Sequence, residues 1–336
     1  MGSKRCAPKK TSVPDEVTFK TKPQIALDLI DRAKANGIKV MAWNADELYG
    51  NNGYFLDGLD ERDEAYVIEI RSDNHVWLRK PKILEKHRKS SANRPLRPKH
   101  LRKRDAQSSE VGNLAKYSPT FTKQKPQRYV IKTTHKGEEV WEIRWSTCWR
   151  KTHTGALVSN QCTLIVAKNV LTGEIKYFLS NRVPGRQGWT LRKILLVAFS
   201  RWSVEDCFRE AKEELGMDHF ECRSWHGIHR HLYLTILSHL FCARIREQFA
   251  TTDDVTSGEL LTTEQVRRAM DAYLDAQDLP PKHRLRKYAE QHKRQQYYQK
   301  RNAQAAKSHR KKRIQDLLAL GIDVQAIKSI HGKPGP

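Results

Sequence analysis

Apolar residues along the chain fall alternately into helical register and into strand-like runs, and the switches between the two outline its organisation. After Pro23, Ile25, Leu29, Ile30 and Ala33 keep helical spacing as far as Asn36, with the proline suited to a first turn and Gly37 to a stop. Residues 38–43 (Ile-Lys-Val-Met-Ala-Trp) read as a largely apolar, and therefore interior, strand. A turn carrying Asp46 follows, then a short helix near 54–62 and a second strand over 65–70. Helix, strand, acid, helix, strand is an α/β layout. It puts Asp46 at the carboxyl end of a strand, where open α/β sheets bind ligands. The commoner fate of an aspartate at such a point is to cap a helix or hold a turn.

Between Arg128 and Asn181 the pattern becomes that of strands, with Leu171-Thr-Gly-Glu174 as a hairpin turn between the last two. Trp141, Trp145 and Trp149 recur at fours there and read as packed sheet aromatics rather than base-stacking platforms. Thr190 caps an apolar helix through Leu191, Ile194, Leu195 and Val197. Residues 200–216 form the next helix, with Ser203 as N-cap and Gly216 as stop. On it Arg209 and Lys212 fall on the side of Glu205, while Val204, Cys207, Phe208, Ala211 and Leu215 share the other side. A helix over about 228–249 carries a stripe from Leu232 to Ile245 expected to pack in the core. Residues 253–281 hold one helix, and 282–313 a long one.

Charge changes this picture. The 336 residues hold 62 Lys plus Arg against 38 Asp plus Glu, a formal charge of +24, which favours a polyanionic partner. Two stretches concentrate it. Residues 79–104 carry 12 basic residues against Glu85, as a disordered tether, a phosphate-binding loop or both; residues 282–313 carry 13 against Glu290, as a solvated face or a DNA-neutralising arm. No run of 18 apolar residues and no signal peptide is visible, so a soluble, cytoplasmic protein without membrane association is expected. The six cysteines are scattered, with no Cys-x-x-Cys, which argues against a disulfide framework. Cys222, His226, His229 and His231 admit a zinc reading, against the plainer one of a polar His-rich turn.

A carboxylate flanked by cations, as Glu205 is by Arg209 and Lys212, suits a metal beside a phosphodiester; an ordinary surface ion pair is the simpler reading. The wider spacing adds to it. Arg201, three residues, Glu205, six residues, Lys212 resembles the Tyr-Arg-Glu-Lys signature of insertion-sequence transposases of the DDE class, with Ala198 where the signature has Tyr. Ala45-Asp-Glu-x-Tyr-Gly50 is similar to the motif around that class's second catalytic Asp, and residues 17–27 to the approach to it. Residues 299–303 and 308–310 are similar to the class's C-terminal end.

The resemblance implies a partial RNase H-like core with a β-rich insertion and a basic helical C-terminal region. The expected parts are 1–78 (first part of the core), 79–127 (basic linker), 128–186 (β insertion), 187–250 (second part of the core) and 251–336. It implies Asp46 and Glu205 as catalytic acids and ligands of Mg2+ or Mn2+, and Arg201, Arg209, Lys212 and Arg223 as DNA contacts. DNA ends and target are the implied partners, with a homodimer on DNA, in the bacterial cytoplasm at the nucleoid. The class's first Asp has no counterpart, since Asp15, Asp28 and Asp31 lie outside any apolar strand. An N-terminally truncated transposase, with little or no strand cleavage of its own, is therefore expected. A non-catalytic DNA-binding remnant and an RNA-binding basic protein are the alternatives.

Overall fold

In the computed structural model, which describes residues 12–84, 99–153, 157–250 and 261–331, the first apolar run winds into α1 (Lys22–Ala35). Thr21 and Gln24 form its capping box, and Gly37, at φ +73°, turns the chain away. Then come α2 (Glu47–Gly50), α3 (Gly53–Glu61), β1 (Val67–Ile70), β2 (His75–Trp77) and the small hairpin of β3 (Ile83–Leu84) with β4 (His100–Leu101). After β5 (Ser109–Glu110), α4 (Val111–Tyr117) and α5 (Pro119–Thr122) run the four main strands. They are β6 (Gln127–Thr134), β7 (Gly137–Arg150), β8 (Cys162–Asn169) and β9 (Ile175–Ser180). Helices α6 (Leu191–Ser200), α7 (Trp202–Glu213), α8 (Trp225–Ala250), α9 (Thr263–Ala276) and α10 (Pro281–Ala319) follow, and β10 (Lys328–Ser329) closes the series.

The chain divides into two compact units, Lys20–Arg201 with Ala306–Pro336, and Met1–Phe19 with Trp202–Ala305. The first is built on a mixed sheet in the order β1-β9-β8-β7-β2-β5, with β6 on the other half of the long β7 and β10 parallel to β6. Alternate residues along each strand enter opposite cores, as the two-residue period of a strand requires. Ile68, Ile70, Leu164, Val166 and Leu179 meet Leu27 and Ile30 of α1 and Phe55, Leu56 and Leu59 of α3. Val67, Ile165, Ala167 and Phe178 meet Ile194, Leu195, Val197 and Ala198 of α6 on the other face. The unit is thus α/β with helices on both faces, which is why β8 is apolar almost throughout. Burying each such side chain is worth roughly 1.5–3 kcal/mol, so the two layers hold the sheet far more firmly than its surface ion pairs do.

Several expectations meet a different outcome. Residues 38–42 form no strand. The ladder begins only at Trp43, whose N–H donates to the Ala65 carbonyl (2.8 Å), and Ile38 is 56% exposed. A strand needs neighbours, and this segment finds only β1, along a few residues. The strands expected as an insertion are not separate: β9 pairs antiparallel with β1, Val67 opposite Ser180. Of the stretch expected as linker, 85–98 lies outside the described residues. Residues 99–127 add β5, α4 and α5, with Val111 and Phe121 fully buried. At the C-terminal end Leu317, Ile322 and Ile330 are buried in the sheet unit, so the basic region is not uniformly an arm. The tryptophan expectation is met at Trp141, which is buried against Phe199 with ring centroids 5.1 Å apart.

The second unit is helical. Glu210 of α7 accepts a hydrogen bond from Thr263 Oγ1 of α9 (2.5 Å) and lies 3.6 Å from Arg246 of α8; Arg267 pairs with Glu214 at 3.1 Å. Ala211, Cys242 and Val266 are buried between these helices. The stripe on α8 expected in a core is largely exposed: Ile236, Leu237, Leu240 and Phe241 all are, as are Val204 and Phe208 of α7. Hydrophobic spacing marks a face able to pack but not what packs on it. Among the described residues no helix is long and apolar enough to cross a membrane.

In the sheet unit Glu64 sits just before β1, taking a hydrogen bond from Trp43 Nε1 (2.8 Å) and an ion pair from Lys34 (2.5 Å). Burial opposes its ionisation, but the Lys34 ammonium and the Trp43 indole outweigh that and hold the carboxyl below its ordinary range. With the folded value below the unfolded one, the unfolded chain binds the proton first on acidification. The stabilisation is full above the unfolded value of about 4.3 and is lost as pH falls through the lower folded value. Glu64→Gln is expected to flatten the acid limb of stability against pH. Urea midpoints taken between about pH 7 and pH 3 that fall equally in both proteins would contradict this.

Candidate active site

Asp46 follows immediately on the short ladder between residues 43–45 and β1, in which the Glu69 N–H donates to the Ala45 carbonyl (3.2 Å). It is partly buried, and its Oδ1 accepts the Leu48 N–H (3.0 Å) as the N-cap of α2. The plainer reading of this residue is therefore realised, and it is compatible with a second oxygen turned to other work. The turn is anchored from behind. The Asn44 side-chain amide donates to the carbonyls of Val197 and of Ala198 (3.2 Å), tying it to the end of α6. Ala198, standing where the signature has Tyr, is buried in the α6 layer.

Arg201 caps the C-terminus of α6 and pairs with Glu69 Oε2 at 3.5 Å, while Lys176 holds the other oxygen at 3.2 Å. Glu69 was not singled out from the sequence. It is the one half-buried residue of a strand whose other three are buried, with no motif around it, and only the ion pairs reveal its place. Asn44, Asp46, Glu69 and Arg201 thus gather around the carboxyl end of β1 in one unit.

The remaining candidates lie in the helical unit. Helix α7 starts at Trp202, so Ser203 is not its N-cap; Arg201 is already helical at φ −58°, ψ −29°, and the chain enters α7 without an extended cap residue. Glu205 is exposed in the first turn. Arg209 pairs along the helix with Asp206 (3.3 Å) and Glu213 (3.2 Å), and their hydrogen bonds raise its pKa. Lys212 and Arg223 are exposed, Arg223 in the turn before α8. Near the candidate zinc residues, His229 Nδ1 lies 2.8 Å from the Trp225 carbonyl and His231 Nε2 2.9 Å from that of Gly216. Two of the histidines thus face backbone carbonyls, and His226, His229 and His231 lie in the first turns of α8 and not in the polar turn expected.

Residues 4–137 match a family model described as DDE superfamily endonuclease. A 61-residue stretch is 41% identical to the probable transposase for insertion sequence element IS701 of Microchaete diplosiphon, covering 18% of this chain and 16% of that protein. Part of the chain is thus similar to the DDE superfamily endonucleases and to an insertion-sequence transposase, of whose length it spans only a small share. Its match to the DDE family contains Asp46 and stops before Glu205, so Glu205 rests on its own signature. Enzymes of the DDE superfamily generally depend on divalent metal. Against that requirement, the described residues gather no group of three or more His, Cys, Asp or Glu side chains of the kind that holds an ion. The two motif acids alone do not make a full donor set.

Proposed function

We propose that this chain acts in DNA transposition, binding transposon-end DNA, with Asp46 and Glu205 as two of the carboxylates that the intact DDE site needs for Mg2+ or Mn2+. The observation that carries the reading is the agreement of the matched family with two motifs in the expected order, Ala-Asp-Glu-x-Tyr-Gly around Asp46 and Arg-x3-Glu-x6-Lys from Arg201 to Lys212. Arg209, Lys212 and Arg223 supply exposed cations for phosphate. Arg201, paired with Glu69, also acts as a positioning residue at the end of β1. A second reading, a DNA-binding remnant without catalysis, draws on the absence, among the described residues, of any group of three or more such side chains able to hold an ion.

Cleavage of labelled transposon-end DNA with magnesium or manganese separates the two. Wild type is expected to show very weak cleavage, lost by a further tenfold or more in Asp46→Ala and in Glu205→Ala, since each removes an oxygen donor from a site already short of them. Equal residual activity in all three would end the assignment of these acids.

A further inference from the structure

We infer that α10 is a duplex-DNA reading helix, in which the face carrying Gln291, Gln295, Tyr298, Gln299 and Asn302 meets base edges while a flanking lysine and arginine stripe holds the phosphates. This rests on the transposase reading but concerns recognition rather than cleavage. Basic residues recur in adjacent pairs at an interval of seven: Arg286-Lys287, Lys293-Arg294 and Lys300-Arg301. Seven residues of α-helix advance about 10.5 Å and return to within about 20° of the same direction, so the pairs form a band on one side. That advance is close to three phosphate steps of a DNA strand at about 3.4 Å each.

The first pair is answered within the protein: Arg286 bonds Glu290 (3.0 Å) and Lys287 bonds Asp275 (2.9 Å). Lys293, Arg294, Lys300 and Arg301 are exposed and make no ion pair among the described residues. A helix polar on all sides is ordinarily supported by opposite charges at i,i+4, and repeated like charges destabilise it unless a polyanion neutralises them. The amide face adjoins this band and lines an open cleft of about 280 Å3 beside the start of α9. Gln and Asn amides offer the paired donor and acceptor that match adenine in the major groove. The major groove of B-form DNA admits a helix, whereas that of an RNA duplex is too deep and narrow for side chains, so the occupant is DNA.

The full chain is titrated with a mixed-sequence 30-base-pair duplex at rising salt, and used separately to select from duplexes with a randomised centre. Replacing Lys293, Arg294, Lys300 and Arg301 together by alanine is expected to make the slope of log affinity against log salt shallower by about 3 to 4, at about 0.9 per phosphate contact. An unchanged slope, with helical content preserved by circular dichroism, overturns the phosphate band. Wild type is expected to enrich a sequence motif. Replacing Gln291, Gln295, Gln299 and Asn302 by alanine is expected to erase it, so that the enriched duplex binds no tighter than the mixed one. Recovery of the same motif by that variant, or an RNA duplex that competes as well as DNA at matched salt, overturns base reading. Both readouts are of binding, so they stand or fall separately from the cleavage assay on Asp46 and Glu205.

Discussion

Arg150→Met is expected to destabilise the sheet unit by about 3–5 kcal/mol, the loss that follows when one partner of a buried ion pair is removed. Arg150 ends β7 and is only 3% exposed. Its guanidinium pairs with Asp57 (2.5 Å) and Asp60 (2.6 Å), both on α3, so the charge cluster clamps that helix to the sheet. Asp57 also accepts the His153 N–H (2.6 Å), and Asp60 accepts the Asn181 amide (3.0 Å). Burial works against the guanidinium's charge, but Tyr66, Asp60, Cys162 and Asp57 around it raise its pKa above the ordinary arginine value. Methionine fills much of the same space and leaves two acids without their cation. Urea unfolding followed by circular dichroism measures the loss. Adding Asp57→Asn and Asp60→Asn to the Met variant is expected to recover part of it, because neutral amides do not need the cation. A single-variant loss below about 1 kcal/mol would show that water already reaches the cluster.

Gly50→Ala is expected to destabilise by about 3 kcal/mol, at or beyond the upper end of ordinary overpacking. Gly50 is the last residue of α2, the turn of helix that Asp46 caps. A Cβ there would stand 2.0 Å from the backbone oxygen of Glu69 and 2.9 Å from Ile68 Cγ2. The first obstacle is main chain in a paired strand, so relief requires α2 to lift from β1 and carry Asp46 away from Glu69. Gly53→Ala is the control. Its Cβ would come no nearer than 3.2 Å, to the His153 side chain, and the cost is expected to stay below about 1 kcal/mol. Equal midpoints for the two variants in thermal unfolding would mean that α2 is not held against the strand.

Local and distant features of the fold differ in how far the residues foretell them. Helices were legible wherever the spacing was local. Thr190 caps α6 through the Lys193 N–H as its position suggests, and Gly173, at φ +75°, turns the hairpin between β8 and β9. Asp46 stands at the N-cap of α2 and Glu205 in the first turn of α7. These features depend on backbone geometry within a few residues, which side-chain pattern controls directly.

Partnership at a distance was not legible. Residues 38–42 are as apolar as a buried strand, yet they stay outside the ladder, because what decides is the neighbour beside them and not their own composition. Pairing of β1 with β9, the ion pair of Arg201 with Glu69 and the burial of Arg150 between two aspartates each join segments far apart in the chain. The sequence by itself determined the helices and turns whose caps and spacing are local, such as α1, α6 and the hairpin between β8 and β9. Tertiary packing alone decided which strands share an edge, which apolar faces are covered and which charges are matched, since those energies arise only between surfaces that the folded chain brings together.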